Sequence, residues 1–266
     1  MITKCGRIDE QRVLSYIGPD YTHCLYLYLN LQKYGFDSDV IEVFCQEEGD
    51  SITAVMLKYY SCLHFYSKDA IFNADEIGSF FAYNGFTMLY STDETGMRIY
   101  STLPDSIAKE ATISHGWVAQ IKNIDRESKG LSIPAQADDF VQIVKLIYED
   151  EDIGRSYNYD DLARQLVERN REGYARNLVI KNGDLVIAHI CTNAELGNVA
   201  VIAELLVREG YRGKGYASEM MRCICGNLLS EGKEVYSFYY SEESRRLHKH
   251  IGFIDICGWS KIVINR

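Results

Sequence analysis

Three cations and three glycines lie close together in the segment REGYRGKGYASEMM, residues 208–221. The segment follows an apolar run, VAVIAELLV, and precedes a stretch with a helical pattern. Glycines allow a backbone to approach a ligand closely, and the start of a helix offers unpaired N–H donors and the positive end of its dipole. A strand, a glycine turn and a helix in this order are therefore typical of a phosphate-binding site.

Two well-known phosphate-binding turns fit this segment poorly. A P-loop requires Gly-Lys-Ser/Thr, but Lys214 is followed by Gly215. A Rossmann turn requires GxGxxG, whereas Ser218 stands at the third glycine and too few residues remain to complete a doubly wound sheet. A tight strand-to-helix turn without any ligand is a further interpretation.

Residues 199–253 resemble the GNAT superfamily of N-acetyltransferases in two blocks. The family's hallmark is a strand followed by Arg/Gln-x-x-Gly-x-Gly/Ala at the start of a helix, and RGKGYA, residues 212–217, matches it in full. The segment SEESRRLHKHIGF is similar to the second block, Asn-x-x-Ser-x-x-x-Tyr followed by x-x-x-Gly-Phe. Ser244, Gly252 and Phe253 match that block, whereas Ser241 replaces the usual Asn and His248 replaces the usual Tyr. The resemblance extends over about residues 128–266.

The resemblance implies an acetyl-CoA-dependent N-acetyltransferase that transfers an acetyl group directly to a primary amine of a small molecule or peptide. It implies no metal, and a catalytically impaired CoA-binding regulatory or interaction protein is the alternative. A small amine, an amino acid, an aminoglycoside and a protein terminus all remain open as the acceptor. The residues implied to hold acetyl-CoA are Leu206, Val207, Arg212, Gly213, Lys214, Gly215, Tyr216, Ala217, Ser241, Ser244 and Arg245.

A base is useful in this reaction because an alkyl ammonium must lose a proton before its nitrogen can attack. Glu204 is the one charged residue in VAVIAELLV, and we expect partial burial in that apolar strand to raise its pKa and suit it to accept a proton. A carboxylate paired with an arginine for structural reasons fits the same position. Glu195 is a second, weaker candidate.

An acid is needed to protonate the departing thiolate, and His248 stands where the family usually has a tyrosine. A neutral imidazole still carries one N–H, and the charged form is a stronger acid. Alternatively, His248 helps to hold CoA phosphates, and Tyr240 or Tyr239 donates the proton.

Composition limits the classes of partner. The formal net charge of −10 argues against nucleic acid as a general partner and favours cationic substrates. The eight cysteines form no CxxC pair, which indicates reduced thiols and no structural zinc site. No apolar run approaches the length of a membrane span, and the first residues are unlike a signal peptide, so we expect a cytoplasmic protein that does not bind membranes.

The sequence predicts two α/β domains with mixed sheets, 1–127 and 128–266, joined near the polar stretch KNIDRESKG. In the second half we predict helices at about 138–148, 160–171, 216–229 and 242–250. Strands are predicted at LVI, LVIAHICT, VAVIAELLV, 234–240 and after Phe253. Asn182-Gly183 indicates a hairpin with a type I′ turn.

The first half has a weaker pattern. We predict a helix over 20–35 with Asp20 as N-cap and Gly35 as C-cap, although Leu at every second position from 25 to 31 also suits a strand. Strands are predicted at about 40–45, 52–60 and 62–67. A helix follows with an Asn73/Glu76 capping box and Gly85 as C-cap. This helix, with Asn-Gly-Phe after it, echoes the later helix and Ile-Gly-Phe, so the first half is interpreted as a degenerate copy without the CoA turn.

Overall fold

The computed structural model describes residues 1–150, 154 and 158–265, which form two compact units. The first unit contains residues 1–118 and the end of the chain from residue 256, and the second contains Ala119–Asp255. The division therefore lies nine residues before the expected boundary at 127/128. The last strand, which the sequence placed in the second domain, lies in the first unit because it pairs there with another strand.

In the described part of the first unit there are five α-helices and six strands besides that last strand. Its helices are α1 (Glu10–Ile17), α2 (Leu25–Tyr34), α3 (Ala74–Tyr83), α4 (Asp93–Ser101) and α5 (Asp105–Ala108). Its strands are β1 (Ile2–Lys4), β2 (Ile41–Glu48), β3 (Ser51–Tyr59), β4 (Cys62–Tyr66), β5 (Met88–Thr92) and β6 (Ala111–Ile121). Strands β1 to β4 pair antiparallel with one another in chain order, and β4 is parallel to β5.

The second unit contains the predicted helices and hairpins of the second half. Its helices are α6 (Asp139–Tyr148), α7 (Tyr159–Arg171), α8 (Tyr216–Ser230) and α9 (Glu242–Ile251). Its strands are β7 (Ile133–Pro134), β8 (Asn177–Asn182), β9 (Leu185–Leu196), β10 (Val199–Val207) and β11 (Glu234–Tyr239), and the chain ends with β12 (Ile254–Ile264). The strand order is β11-β10-β9-β8-β7 in this unit, and β12 pairs antiparallel with β5 in the first. The mixed α/β sheet is confirmed, and its antiparallel strands exclude a Rossmann sheet.

The two halves of the chain repeat one order of elements. Each has two helices, three antiparallel strands, a helix, a parallel strand and a helix before a final strand, β6 or β12, and the first half has the additional short helix α5 before β6. The helix between the parallel strands is α3 in the first unit and α8 in the second. This order agrees with the repeat that the sequence indicated.

The start of α2 differs from the prediction. A 3-10 helix covers Gly18–His23, and α2 begins only at Leu25. Asp20 is not an N-cap, because it lies inside the 3-10 helix and its carboxylate accepts a hydrogen bond from the Tyr66 hydroxyl at 2.6 Å. Gly35 ends the helix with φ 68°, as predicted.

The hairpin between β8 and β9 is present, but its predicted turn type is wrong. Asn182 pairs with Leu185, so the two turn residues are Gly183 and Asp184. Gly183 has φ 59°, whereas the φ of Asp184 is not positive. Positive φ at the first turn position alone corresponds to a type II′ turn.

Helix α8 is the platform for the glycine turn. Its buried face comprises Met220, Met221, Ile224, Cys225 and Leu228, each with 0% exposure. Full burial of one such large apolar side chain contributes roughly 1.5–3 kcal/mol, so the start of the helix is held firmly against the sheet. Within the described residues, no helix is both long and apolar enough to cross a membrane.

Candidate functional site

A cleft opens where β10 and β11 stop pairing. The two strands are parallel from Val199 opposite Glu234 to Ile202 opposite Ser237, and the ladder ends there. The cleft has a volume of about 540 Å³. It is lined by Asp150, Ile190, Ile202, Ala203, Glu204, Leu205, Leu206, Val207, Tyr211, Arg212, Gly213, Gly215, Tyr216, Ala217, Ser218, Met221, Ser237, Phe238, Ser241, Glu243, Ser244, Leu247 and His248.

The glycine turn forms one wall of this cleft at the start of α8. Gly213 and Gly215 have φ 76° and 83°, and Gly215 is the N-cap residue, with no side-chain cap on the helix. A Cβ added at either glycine would meet no atom within 4 Å, so both glycines border open space. The unpaired N–H groups of the first helical turn are therefore available to an anion in the cleft.

The two cations of the turn, Arg212 and Lys214, differ in their surroundings and in their distance from the cleft. Arg212 is 62% exposed, its Nε donates to the carbonyl of Val207 at 2.9 Å, and its guanidinium lies 3.7 Å from the Asp150 carboxylate. Lys214 does not line the cleft, and its Nζ lies 5.1 Å from the centre of the Tyr211 ring. Arg212 is thus the better placed of the two to meet a ligand.

Glu204 lies in a bulge of β10 that borders the cleft. Ala203 is opposite Cys191 and Leu206 is opposite His189, so two residues of β10 face one residue of β9. Glu204 has φ 54° and is one of three non-glycine residues with positive φ in the described part of the chain. Such a conformation costs about 1–3 kcal/mol and is common at functional sites.

Two side chains of β9 contact Glu204, which is itself only 7% exposed. His189 Nδ1 lies 3.1 Å from its carbonyl oxygen, and the Cys191 thiol donates to its Oε2 at 3.3 Å. Burial raises the pKa of the Cys191 thiol, so the sulfur stays protonated and remains a donor. The Cys191 contact holds the carboxylate, and the His189 contact holds the backbone of the bulge, at the end of the paired part of the strands.

Glu195, the weaker base candidate, lies outside the cleft. Its carboxylate forms ion pairs with Arg176 and, at 3.3 Å, with Lys233. Arg176 also pairs with Glu231 at 2.8 Å. Glu195 is therefore a structural carboxylate.

His248 lines the cleft from α9 and is only 5% exposed. Its Nδ1 lies 2.7 Å from the backbone carbonyl of Ser244, and its Nε2 lies 2.8 Å from Ser237 Oγ. Burial lowers the pKa of His248 to about 4, so the ring is neutral at pH 7. A carbonyl only accepts, so the single proton lies on Nδ1 and the Ser237 hydroxyl donates to Nε2.

Three other predicted site residues do not line the cleft. Arg245 donates to Asp255 at 2.8 Å, and the Tyr239 hydroxyl donates to the same carboxylate. Tyr240 is half-buried and is not among the lining residues. Ser241 does line it, and its hydroxyl caps α9 by accepting from the Ser244 N–H at 3.1 Å.

Ser237 is the functional candidate that the sequence did not reveal. It lies in the ordinary strand pattern EVYSFY, and its meeting with His248 depends on how α9 folds back over β11. No local spacing signals that contact. In the part of the chain that the structure describes, no group of three or more His, Cys, Asp and Glu side chains is placed to hold a metal ion.

Residues 139–253 match a family model described as Acetyltransferase (GNAT) family. No curated protein matches the chain by sequence. Among solved structures, a Drosophila protein superposes with a TM-score of 0.68 at 11% identity, covering 100% of this chain and 99% of its own. A GCN5-related N-acetyltransferase from Sphaerobacter thermophilus gives 0.63 at 14% identity, with coverage of 100% and 96%. A tandem GNAT protein from the clavulanic acid biosynthesis pathway gives 0.60 at 10% identity, with coverage of 100% and 98%. At these identities the likeness is one of fold.

Proposed function

We propose that the protein transfers the acetyl group of acetyl-CoA to a primary amine of a small molecule or peptide. The premise is the match of residues 139–253 to the acetyltransferase (GNAT) family model. The observation that carries the proposal is the cleft between β10 and β11, bordered by an uncapped helix start with two left-handed glycines. That wall suits a pyrophosphate, and the parted strands leave room for an extended ligand between them.

Acetyl-CoA fits the residues of this cleft. The N–H groups at the start of α8 and the exposed guanidinium of Arg212 supply donors for phosphate oxygens. Leu206 and Val207 lie on β10 beyond the end of its ladder with β11, so a pantetheine arm has a strand edge to follow. Acetyl-CoA supplies an activated thioester when it is bound there.

Glu204 is proposed as the base that accepts the proton of the attacking amine, directly or through water. Among the residues that the structure describes, three carboxylates line the cleft, those of Asp150, Glu204 and Glu243. They favour a cationic acceptor over an anionic one. His248 is proposed to protonate the thiolate, for which its Nε2 must first acquire a proton.

A thermal-shift measurement together with a thiol-release assay tests the function. A ligand that binds only the folded state adds about 2.7 kcal/mol of stability at a hundredfold excess over Kd. We expect this shift with acetyl-CoA, and thiol release that depends on an added amine from a panel. A shift without amine-dependent thiol release would instead support a CoA-binding regulator, and no shift would exclude the CoA site.

Arg212→Ala should weaken the acetyl-CoA shift because a charge-assisted hydrogen bond is lost, worth about 1.5–3 kcal/mol. Arg171→Ala is the matched control, since Arg171 lies exposed on α7 and does not line the cleft. Titration of both variants with acetyl-CoA measures the difference in Kd. Equal affinities would show that Arg212 does not contact the ligand.

A further inference from the structure

A serine, a histidine and a backbone carbonyl form a hydrogen-bonded chain inside the cleft. Ser237 Oγ lies 2.8 Å from His248 Nε2, and His248 Nδ1 lies 2.7 Å from the carbonyl of Ser244. All three residues line the cleft. Ser237 is 3% exposed and His248 is 5% exposed, so the chain is shielded from bulk water but borders the cavity.

This arrangement is that of an activated nucleophile. An activated serine needs a base within hydrogen-bond distance and a third group that orients the base. Here the carbonyl of Ser244 takes the role of the third group, because it fixes the proton on Nδ1 and leaves a lone pair on Nε2. The Ser237 hydroxyl therefore directs its proton at His248 and keeps its oxygen lone pairs for another partner.

The position of Ser237 in the sheet places it at the base of the opening. It is opposite Ile202 in the last pair before β10 and β11 part. The Glu204 bulge begins two residues further along β10. An acyl group held at the end of the parted strands would therefore lie near the Ser237 hydroxyl.

We propose that Ser237 is a second nucleophile for the thioester, and that the protein hydrolyses acetyl-CoA through an acetyl-serine when no amine occupies the cleft. The inference rests on the acetyl-CoA site of the proposed function. It adds an activity that competes with transfer to the amine. Direct attack by the amine forms no covalent intermediate. An acetyl-serine therefore distinguishes the hydrolytic route from direct transfer to the amine.

The acetyl group reaches water in two steps. Ser237 Oγ bonds to the thioester carbon, its proton passes to His248 Nε2, the carbon–sulfur bond breaks, and His248 returns that proton to the thiolate to release CoA. Water then attacks the acetyl-serine and gives one proton to His248, which returns it to Ser237 as acetic acid leaves and ionises to acetate. On this route the proton that His248 Nε2 gives to the thiolate is the one that Ser237 released.

The same hydrogen bonds would exist if Ser237 only satisfied a buried histidine, since buried polar groups are normally paired. A merely structural serine would carry no acetyl group. The covalent adduct is therefore the readout that separates the two roles.

The experiment uses the full chain with acetyl-CoA and no amine. We expect slow release of CoA thiol with formation of acetate, and, after an acid quench, a Ser237 peptide heavier by one acetyl group. Ser237→Ala should lose the adduct and lower amine-independent thiol release about 100-fold or more, the typical contribution of such proton transfer. Ser237→Cys keeps a nucleophile and should still show the adduct, now as a thioester.

Ser91→Ala is the matched control, because Ser91 is a fully buried serine of the first unit whose hydroxyl donates to the Thr92 carbonyl. It should keep both the adduct and the hydrolysis rate. Absence of the adduct in wild type and in Ser237→Cys, with amine-dependent thiol release intact, would overturn the inference and leave the proposed function standing. Absence of any acetyl-CoA thermal shift would refute the proposed function itself.

Discussion

At the scale of single residues, Glu204 is the proposed base and Glu195 is a carboxylate held in ion pairs, and matched variants distinguish the two roles. Glu204→Gln should lower kcat for amine acetylation about 100-fold because the variant cannot accept a proton, while acetyl-CoA affinity stays close to wild type. Glu195→Gln should keep kcat but lower the melting temperature, since it breaks ion pairs with Arg176 and Lys233. Steady-state kinetics and thermal melts of both variants measure the contrast.

If the effects of the two substitutions on kcat were reversed, Glu195 rather than Glu204 would be the base. If Glu204→Gln kept wild-type kcat and Glu195→Gln lost it, the carboxylate in the cleft would not be the base. The comparison is well matched because both substitutions remove one negative charge and preserve side-chain size.

At the scale of elements, the glycine turn depends on backbone conformation, and this can be tested with the two glycines that flank α8, Gly215 and Gly232. Gly215 precedes the helix with φ 83° and borders the cleft, whereas Gly232 follows it with φ 76° and does not line the cleft. Valine at either position must adopt a conformation that L-residues avoid, so both variants should lose stability. Only Gly215→Val should also lose the acetyl-CoA thermal shift, because its side chain enters the open space at the helix start.

Thermal melts with and without acetyl-CoA measure both effects. A normal shift in Gly215→Val would show that the ligand does not approach this turn. Loss of the shift in Gly232→Val would show that general destabilisation is enough to abolish it.

His189 on β9, which contacts the Glu204 carbonyl on β10, predicts a pH dependence of the free energy of unfolding. Burial lowers the pKa of His189 to about 4, whereas an unfolded histidine titrates near 6.5. Between these values the unfolded state binds more protons, so the free energy of unfolding falls as pH decreases from 6.5 to 4 and is fully restored above 6.5. The slope for one histidine is at most about 1.4 kcal/mol per pH unit.

His189→Gln should reduce this slope, measured by urea unfolding at pH 6 and pH 5. His250→Gln is the control, since His250 is exposed on α9. His248 should contribute in the same direction, because burial lowers its pKa to about 4 as well. An unchanged slope in His189→Gln would contradict the buried, neutral state of this ring.

The sequence predicted local elements of the second unit well and nonlocal contacts poorly. Helices α8 and α9 begin at the predicted residues, because a glycine or a serine cap and an apolar period are properties of short segments. The left-handed Glu204 has no such marker, since a β-bulge is set by pairing with β9. The Ser237–His248 contact likewise joins a strand and a helix that only the fold brings together.

Arg245 shows why the family motif alone does not place every side chain. It stands beside Ser244 in the second sequence block, and the resemblance implied that it holds acetyl-CoA. Successive helix residues face different directions, and Arg245 pairs with Asp255 at 2.8 Å while Ser244 lines the cleft. Spacing within a motif therefore predicted the helix but not the direction in which each side chain points.

At the scale of the whole molecule, the repeated order of elements raises the question of whether both units bind acetyl-CoA. Helix α3 corresponds to α8, but no glycine lies between Tyr66 and Ala74. The start of α3 is closed by its own side chains, since Asn73 accepts from the Glu76 N–H at 3.1 Å. The Glu76 carboxylate also accepts from Gln46 at 2.8 Å and from the Ile2 N–H at 2.9 Å.

One molecule of acetyl-CoA should therefore bind per chain. Asp75 and Glu76 in the first turn of α3 place negative charge where a phosphate would have to lie, which repels an anion. Isothermal titration of the full chain should give a stoichiometry near one, and Gly215→Val should remove all measurable binding, because no second site remains. A stoichiometry near two, or binding that persists in Gly215→Val and is lost in a variant of the α3 start such as Asn73→Asp, would place a functional site in the first unit and overturn its interpretation as a copy without the CoA turn.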